Sequence, residues 1–275
     1  MRKAVIDLKN SLKDYFREKK IEYFAALPYA ECREINKRIM DREDFTPRSV
    51  ILYLLPYYTG ETVNISRYAA SLDYHLIIKE INEGLIRIIG EKYPDAHCRG
   101  YGDHSPIDER SAALACGFGI LGDNGLIINE EYGSYIFIGD VVCDLDPELL
   151  GAITPKEIKR CVGCGACKAA CPTGILRGEG CDCLSAITQK KGELSTDEVE
   201  LMQRYNTVWG CDLFQTPCPY NRDPKMTPIE FFYRERIDEL NSEVLENMSD
   251  DEFACRAFAW RKKATVERNI SLVCK

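Results

Sequence analysis

"CVGCGACKAACPTGIL", residues 161–176, sets four cysteines at intervals of three, three and four residues and follows the last with a proline. Cys161, Cys164, Cys167 and Cys171-Pro172 have the C-x2-C-x2-C-x3-C-P spacing used for cubane iron–sulfur clusters, in which the fourth cysteine serves the other cluster of a pair. Two short loops let three thiolates meet three irons of one cube, and the proline ends the turn so that the fourth thiol points away. A second cluster needs further thiolates. The chain offers Cys181, Cys183, Cys211 and Cys218-Pro219, so that eight cysteines balance two [4Fe-4S] clusters. Zinc also takes four cysteines, but zinc ribbons show separated C-x2-C pairs rather than a close triple followed by Cys-Pro. Cys32, Cys98, Cys116, Cys143, Cys255 and Cys274 are scattered and read as small buried hydrophobes or inert thiols.

Around this segment the composition is that of an ordinary globular protein, with 45% apolar and 29% charged residues in a chain of 275. No run approaches the roughly 18 apolar residues of a membrane span, and "MRKAVIDLKNSLKDYF" spaces its apolar positions helically with charges between, unlike a signal peptide. The expectation is a cytoplasmic protein with no membrane partner. In that setting 14 cysteines indicate metal or redox chemistry rather than disulfides. The net charge of −8 argues against a surface that binds nucleic acid throughout, although residues 230–252 hold nine acidic and two basic side chains and the last twenty hold six basic and one acidic. Each run also reads simply as a solvated helix face.

Upstream, Val5, Leu8, Leu12, Tyr15 and Phe16 fall at helical intervals, and "RSVILYLLPYY" reads as a buried strand stopped by Pro56. "YHLIIKEINEGLIRIIGEKY" has the spacing of a long amphipathic helix, "GFGILGDNGLIIN" reads as a hairpin or loop, and "GSYIFIGDVVCDL" alternates like a strand. Helices and strands therefore mix up to residue 145. The pattern loosens around "DLDPELLGAITPKEIKR", which places a domain junction near residues 146–156. The expected division is 1–150, 151–225 and a helix-like tail over 226–275.

Two cubanes alone would make an electron carrier, yet about 150 residues precede them, more than that task needs. The stretches "RYAASLDYH" (67–75), "GDHSPIDERSAALACGFGILGDNGLIIN" (102–129), "GSYIFIGDVVCDL" (133–145), "CLSAITQKKGEL" and "WGCDLFQTPCPYN" resemble the epoxyqueuosine reductase family, collinearly from residue 45 to 270. The resemblance implies a mixed α/β (α+β) fold: a nitroreductase-like corrinoid-binding domain, then a ferredoxin-like double-cubane domain and a short helical tail. It implies a reductase that removes the epoxide oxygen of epoxyqueuosine in tRNA to give queuosine, using cobalamin, two [4Fe-4S] clusters and an external low-potential electron donor. Asp73 and His75 begin the D-x-H-x-x-G motif that supplies histidine to cobalt in many corrinoid proteins, but Ile78 stands where its glycine belongs, which fits base-off cobalamin.

By the same resemblance Asp103 is the general acid, Arg110 orients Asp103 or substrate, and Glu109 anchors the loop. A carboxyl group can be an acid at neutral pH only if burial raises its pKa. Read without the family, "DHSPIDER" is a polar loop or helix cap. Arg67, Tyr74, His75, Gly122 and Asn124 occupy motif positions that hold cobalamin, and His104, where the family has a small hydroxyl residue, is a further candidate as second acid, cobalt ligand or surface histidine. The reading of Tyr74 from its residues alone is core packing.

Three features depart from the family pattern. Phe214 replaces a cluster ligand in "CDLFQTPCP", and Cys181, two residues before Cys183, is the expected substitute. Asp123 stands where lysine is common. The family's C-terminal helical repeat, which grips tRNA, is mostly missing after "AFAWRKKATVERNI", which puts the tRNA or anticodon stem-loop partner in question. Two alternatives stand beside the tRNA-modifying enzyme: a cobalamin and iron–sulfur reductase acting on another small molecule or corrinoid protein, and a non-catalytic electron-transfer module.

Overall fold

A computed structural model describes residues 2–179 and 182–274 and divides the chain into two compact units. Unit 1 comprises Met1–Pro56, His75–Glu130 and Ile136–Cys161; unit 2 comprises Tyr57–Tyr74, Glu131–Tyr135 and Val162–Lys275. The sequence placed its boundaries at 150 and 225. The contacts instead put the division just after Cys161, send two short upstream segments to the second unit, and leave no separate tail.

Unit 1 runs α1 (Arg2–Glu18), β1 (Phe24–Pro28), α2 (Lys37–Met40), β2 (Ser49–Pro56), α3 (Tyr74–Lys92, whose first residue is counted with unit 2), β3 (Cys98–Tyr101), α4 (Glu109–Ala115), β4 (Ile120–Leu121), β5 (Ile127–Ile128), β6 (Ile136–Cys143) and α5 (Pro147–Leu150). Four strands form an antiparallel sheet in the order β1-β2-β6-β3, and β4 and β5 form a separate hairpin. All of β2 is buried, so its near-continuous apolar run is that of a central strand covered on both faces. One face carries Val50, Leu52 and Leu54 into a core with Leu27, Ile107, Leu114, Phe118 and Val142. Each such side chain contributes about 1.5–3 kcal/mol by leaving water.

On the helical side, Phe16 stacks on Phe24 with ring centroids 4.3 Å apart, and the Tyr15 hydroxyl donates to Glu80 O of α3 at 3.3 Å. The Tyr53 hydroxyl donates to Asn82 Oδ1 at 2.9 Å, joining β2 to α3. Its ring lies across β6 at Gly139, where an added Cβ would come within 2.2 Å of the ring. The glycine in "FIGDVV" is therefore a close-approach position.

Unit 2 contains α6 (Ala166–Ala170), α7 (Leu184–Thr188), α8 (Thr196–Arg204), α9 (Ser242–Glu246), α10 (Asp250–Ala254) and α11 (Lys263–Val273), joined by turns and single helical turns. Gly163 and Gly165 lie in the left-handed region, at φ 65° and 76°, which lets the cysteine run turn sharply. The core gathers Ile65, Ala69, Trp209, Leu240, Phe258, Val266 and Ile270 from widely separated segments. Asn269 Nδ2 donates to Thr188 O at 2.7 Å and Val208 O at 2.9 Å, and Gln203 Nε2 donates to Leu272 O at 2.7 Å. These bonds make the end of the chain part of the cysteine-bearing unit. Among the described residues no helix is long and apolar enough to cross a membrane.

Candidate functional site

The segment between β3 and α4 carries the acid predicted from sequence. Its far end is well held: Asp108 N donates to Arg33 O at 2.9 Å, and Ile35 N and Asn36 N donate to Pro106 O at 2.9 and 3.1 Å. Asp108 caps α4, accepting from Ser111 N at 3.3 Å and Ser111 Oγ at 2.7 Å. Burial opposes its charged form, but Ser111 and the Arg33 guanidinium hold its carboxyl below the usual range. The helix-cap reading of "DHSPIDER" is thus true of Asp108. Asp103 and His104 stand exposed at the tip of the loop. Asp103 has φ 64°, a left-handed conformation that aspartate tolerates better than most residues.

Asp103 and His75 come together: Asp103 Oδ2 lies 3.7 Å from His75 Nε2 in the first turn of α3. That separation is long for a hydrogen bond but within ion-pair reach of a protonated imidazole. Below the loop tip, Glu109 accepts the backbone N–H of Asp103 and stands within hydrogen-bonding reach of Asp140. Burial, then the neighbouring charges of Asp140 and Asp103, push Glu109 well above the carboxylate range. Asp140 is fully buried in β6, in register with Leu52 on one side and Tyr101 on the other, and burial pushes it up as well. Its Oδ2 accepts from Ser105 Oγ at 3.0 Å.

Arg110 is turned elsewhere. Its Nη1 donates to Gly125 O at 3.0 Å and its Nε lies 4.0 Å from Asp108 Oδ1, so it ties α4 to the β4–β5 turn rather than orienting Asp103. In that turn Gly122 N donates to Leu126 O at 2.9 Å and Leu126 N donates to Asn124 Oδ1 at 3.1 Å. A Cβ at Gly122 would meet Asn124 Oδ1 at 2.4 Å, so these two residues shape the turn together. Asp123 contributes its backbone, donating to Cys161 Sγ at 3.3 Å.

In unit 2 Arg67 is buried, with Nη1 3.1 Å from Asp212 Oδ2 and Nη2 on Glu61. Asp212 also accepts from Arg67 N at 2.7 Å and Ser66 Oγ at 2.5 Å. Both ends of the guanidinium therefore meet carboxylates, at a residue that the family resemblance places among those that hold cobalamin. Tyr74 is 8% exposed, as core packing requires.

The cysteines show what their surroundings can hold. Although burial opposes its thiolate, backbone N–H groups of Leu176, Thr173 and Gly174 and the Thr173 hydroxyl keep Cys171 below the ordinary thiol value. Cys183 Sγ accepts from Ala186 N at 3.2 Å. Burial raises Cys211 to about 11, opposed by the Leu213 N–H and reinforced by the charges of Asp212, Cys183 and Cys171, which places Cys171, Cys183 and Cys211 near one another. Backbone donors aimed at sulfur are what cluster-bound thiolates accept, so the donor set fits iron–sulfur clusters. Among the described residues no three Cys, His, Asp or Glu side chains converge as ligands of a single ion. A cubane makes no such demand, because each thiol meets a separate iron at its own corner. Cys164 is exposed, Cys167 and Cys218 are buried, and Cys181 lies outside the described residues.

Sequence reasoning missed Asp140, Ser105 and Asp212. For Asp140 a signal existed: an aspartate inside "YIFIGDVVC" has no place in a buried strand unless it is paired.

Residues 160–221 match the model of the 4Fe-4S double cluster binding domain. A Gloeobacter violaceus epoxyqueuosine reductase is 31% identical over 236 residues, covering 80% of this chain and 72% of that protein. The chain belongs to the epoxyqueuosine reductase family. A Listeria monocytogenes member is 30% identical over 220 residues, 76% of this chain but 56% of the relative, so the match spans little more than half of that protein. In fold the chain is similar to a family member solved with an epoxyqueuosine-modified tRNA-Tyr stem loop, with a TM-score of 0.75 and 22% identity over 98% of this chain and 81% of that one. Family membership and the double-cluster domain bear out the iron–sulfur reading over zinc.

Proposed function

We propose that this chain reduces the epoxide of epoxyqueuosine in tRNA to queuosine, drawing on two [4Fe-4S] clusters, cobalamin and an external low-potential electron donor. The observation that carries the reading is the 102–110 loop, which presents Asp103 beside His75 on top of the half-buried Glu109 and the fully buried Asp140. Family membership and the stem loop bound by a fold relative favour tRNA over a small molecule or a corrinoid protein.

Turning an epoxide into an alkene and water takes two electrons and two protons. Cobalamin and the clusters, when bound, would supply the electrons. Asp103 gives one proton to the leaving oxygen, with its turn fixed by Glu109, and solvent gives the second. His75 faces the same carboxyl and offsets the negative charge left on Asp103 when it carries a proton itself.

His75, His104, Gly122 and Asn124 are the residues of unit 1 that would hold cobalamin. Of these, His75 is directed to Asp103, and Gly122 and Asn124 shape one turn together. Cys161, Cys164, Cys167 and Cys218 would hold one cluster, and Cys171, Cys181, Cys183 and Cys211 the other. The basic end of the chain would add salt-sensitive phosphate contacts.

The test is anaerobic reconstitution with iron, sulfide and cobalamin, followed by assay of epoxyqueuosine conversion in tRNA and in a short anticodon stem-loop. Asp103→Ala should lower turnover by about 10²–10⁴-fold with iron content unchanged. Full cofactor loading with no queuosine in either RNA would refute the reading in favour of a different substrate.

A further inference from the structure

Among the described residues, two of the few buried side-chain atoms without a hydrogen-bond partner belong to one pair of carboxyl groups: Glu109 Oε1 and Asp140 Oδ1. Their carboxyl groups nevertheless stand within reach of a hydrogen bond to each other. Two carboxylates are acceptors only and cannot make that bond; a carboxyl and a carboxylate can. The remaining contacts run to the loop. Asp140 Oδ2 accepts from Ser105 Oγ at 3.0 Å, and Glu109 accepts the backbone N–H of Asp103.

Among the interactions described for the pair, none is with a positively charged group. Asp103 adds a negative one to Glu109, while Cys32, Tyr53 and Tyr101, which sense Asp140, are neutral side chains. We propose that Glu109 and Asp140 hold one proton between them and that this proton latches the 102–110 loop, making Asp140 a positioning residue for Asp103. With the proton in place, the buried strand β6 grips the loop at Ser105 and, through Glu109, at Asp103. Without it, two negative charges face each other away from water, and the least costly escape is for Glu109 and its loop to move outward.

The catalytic meaning of the latch rests on the proposed role of Asp103, but the latch is testable without turnover. Amide exchange of the 102–110 peptide is followed by mass spectrometry from neutral to alkaline pH in the whole chain. Wild type is compared with Glu109→Gln in the same buffers, so that the intrinsic pH dependence of exchange cancels. The glutamine amide keeps a donor toward Asp140 and an acceptor for Asp103 N–H and has no proton to lose. Relative to it, wild-type exchange should rise by up to about tenfold per pH unit across the range in which the shared proton leaves. Asp140→Asn should flatten the profile in the same way.

Parallel profiles in wild type and Glu109→Gln overturn the proposal. If the variants do not fold, infrared titration of wild type decides: a protonated-carboxyl band that persists above neutral pH supports the latch, and its loss within the ordinary carboxylate range overturns it. Absence of queuosine formation at every pH, with the exchange difference intact, would strike the assigned reaction and leave the latch standing.

Discussion

In the proposed reaction, Asp103 and Cys181 are the two residues on which most of the chemistry turns. Asp103 is exposed, so burial of its own carboxyl does not make it an acid. Its place is set by a left-handed turn at the loop tip and by Glu109, which accepts its backbone N–H. Cys171, Cys183 and Cys211 lie near one another, and the proposal is that Cys181 supplies the fourth ligand where Phe214 stands in place of one. Cys181→Ala should therefore lower iron and acid-labile sulfide by about one cluster's worth. An unchanged iron-to-protein ratio would show that another residue completes the site.

At the scale of elements, β6 links the sheet to the site. One of its residues, Gly139, admits the Tyr53 ring, and the next, Asp140, faces the loop. A side chain at 139 would drive the ring off its place and break the Tyr53–Asn82 bond. Gly139→Ala should cost about 1–3 kcal/mol in denaturant unfolding. It should also loosen the 102–110 loop, since the same strand carries Asp140. A variant as stable as wild type would mean that the Tyr53 ring finds another resting place.

For the whole molecule, the buried pair predicts how stability depends on pH. Burial, with the charges of Asp140 and Asp103, raises Glu109 to about 9 in the folded chain, against about 4.3 unfolded. Between these values the folded state binds more protons than the unfolded one, so stability is greatest at the acid end and falls as pH rises toward about 9. Groups shifted the other way, such as Glu61 and Asp108, lose their contribution only as pH falls toward the acid range, so the decline is best read above about pH 6. Urea midpoints from about pH 6 to 9 should decline in wild type and flatten in Glu109→Gln. Equal slopes for the two proteins would show that the pair stays charged.

Much of this chain was legible from its residues because the signals are local. The cysteine spacing of 161–171, the alternation of β6 and the helical period of α3 each depend on neighbours a few positions away, and each element formed where its pattern lies. The loop 102–110 was legible as a site only through family likeness, since its own composition also describes a helix cap, which Asp108 is.

What the tertiary structure decided involves partners far apart in sequence. Arg67 meets Asp212 across 145 positions, a pairing that no local spacing shows. Ser105 meets Asp140 across 35, a pairing set by strand register and by a loop pinned at both ends. The three-part division also gave way, because the final helix buries Val266 and Ile270 against Trp209 and the 65–70 segment rather than standing alone. Spacing along a chain determines which ligands can share a cluster. Whether a carboxyl group is charged depends on which residues the fold packs around it.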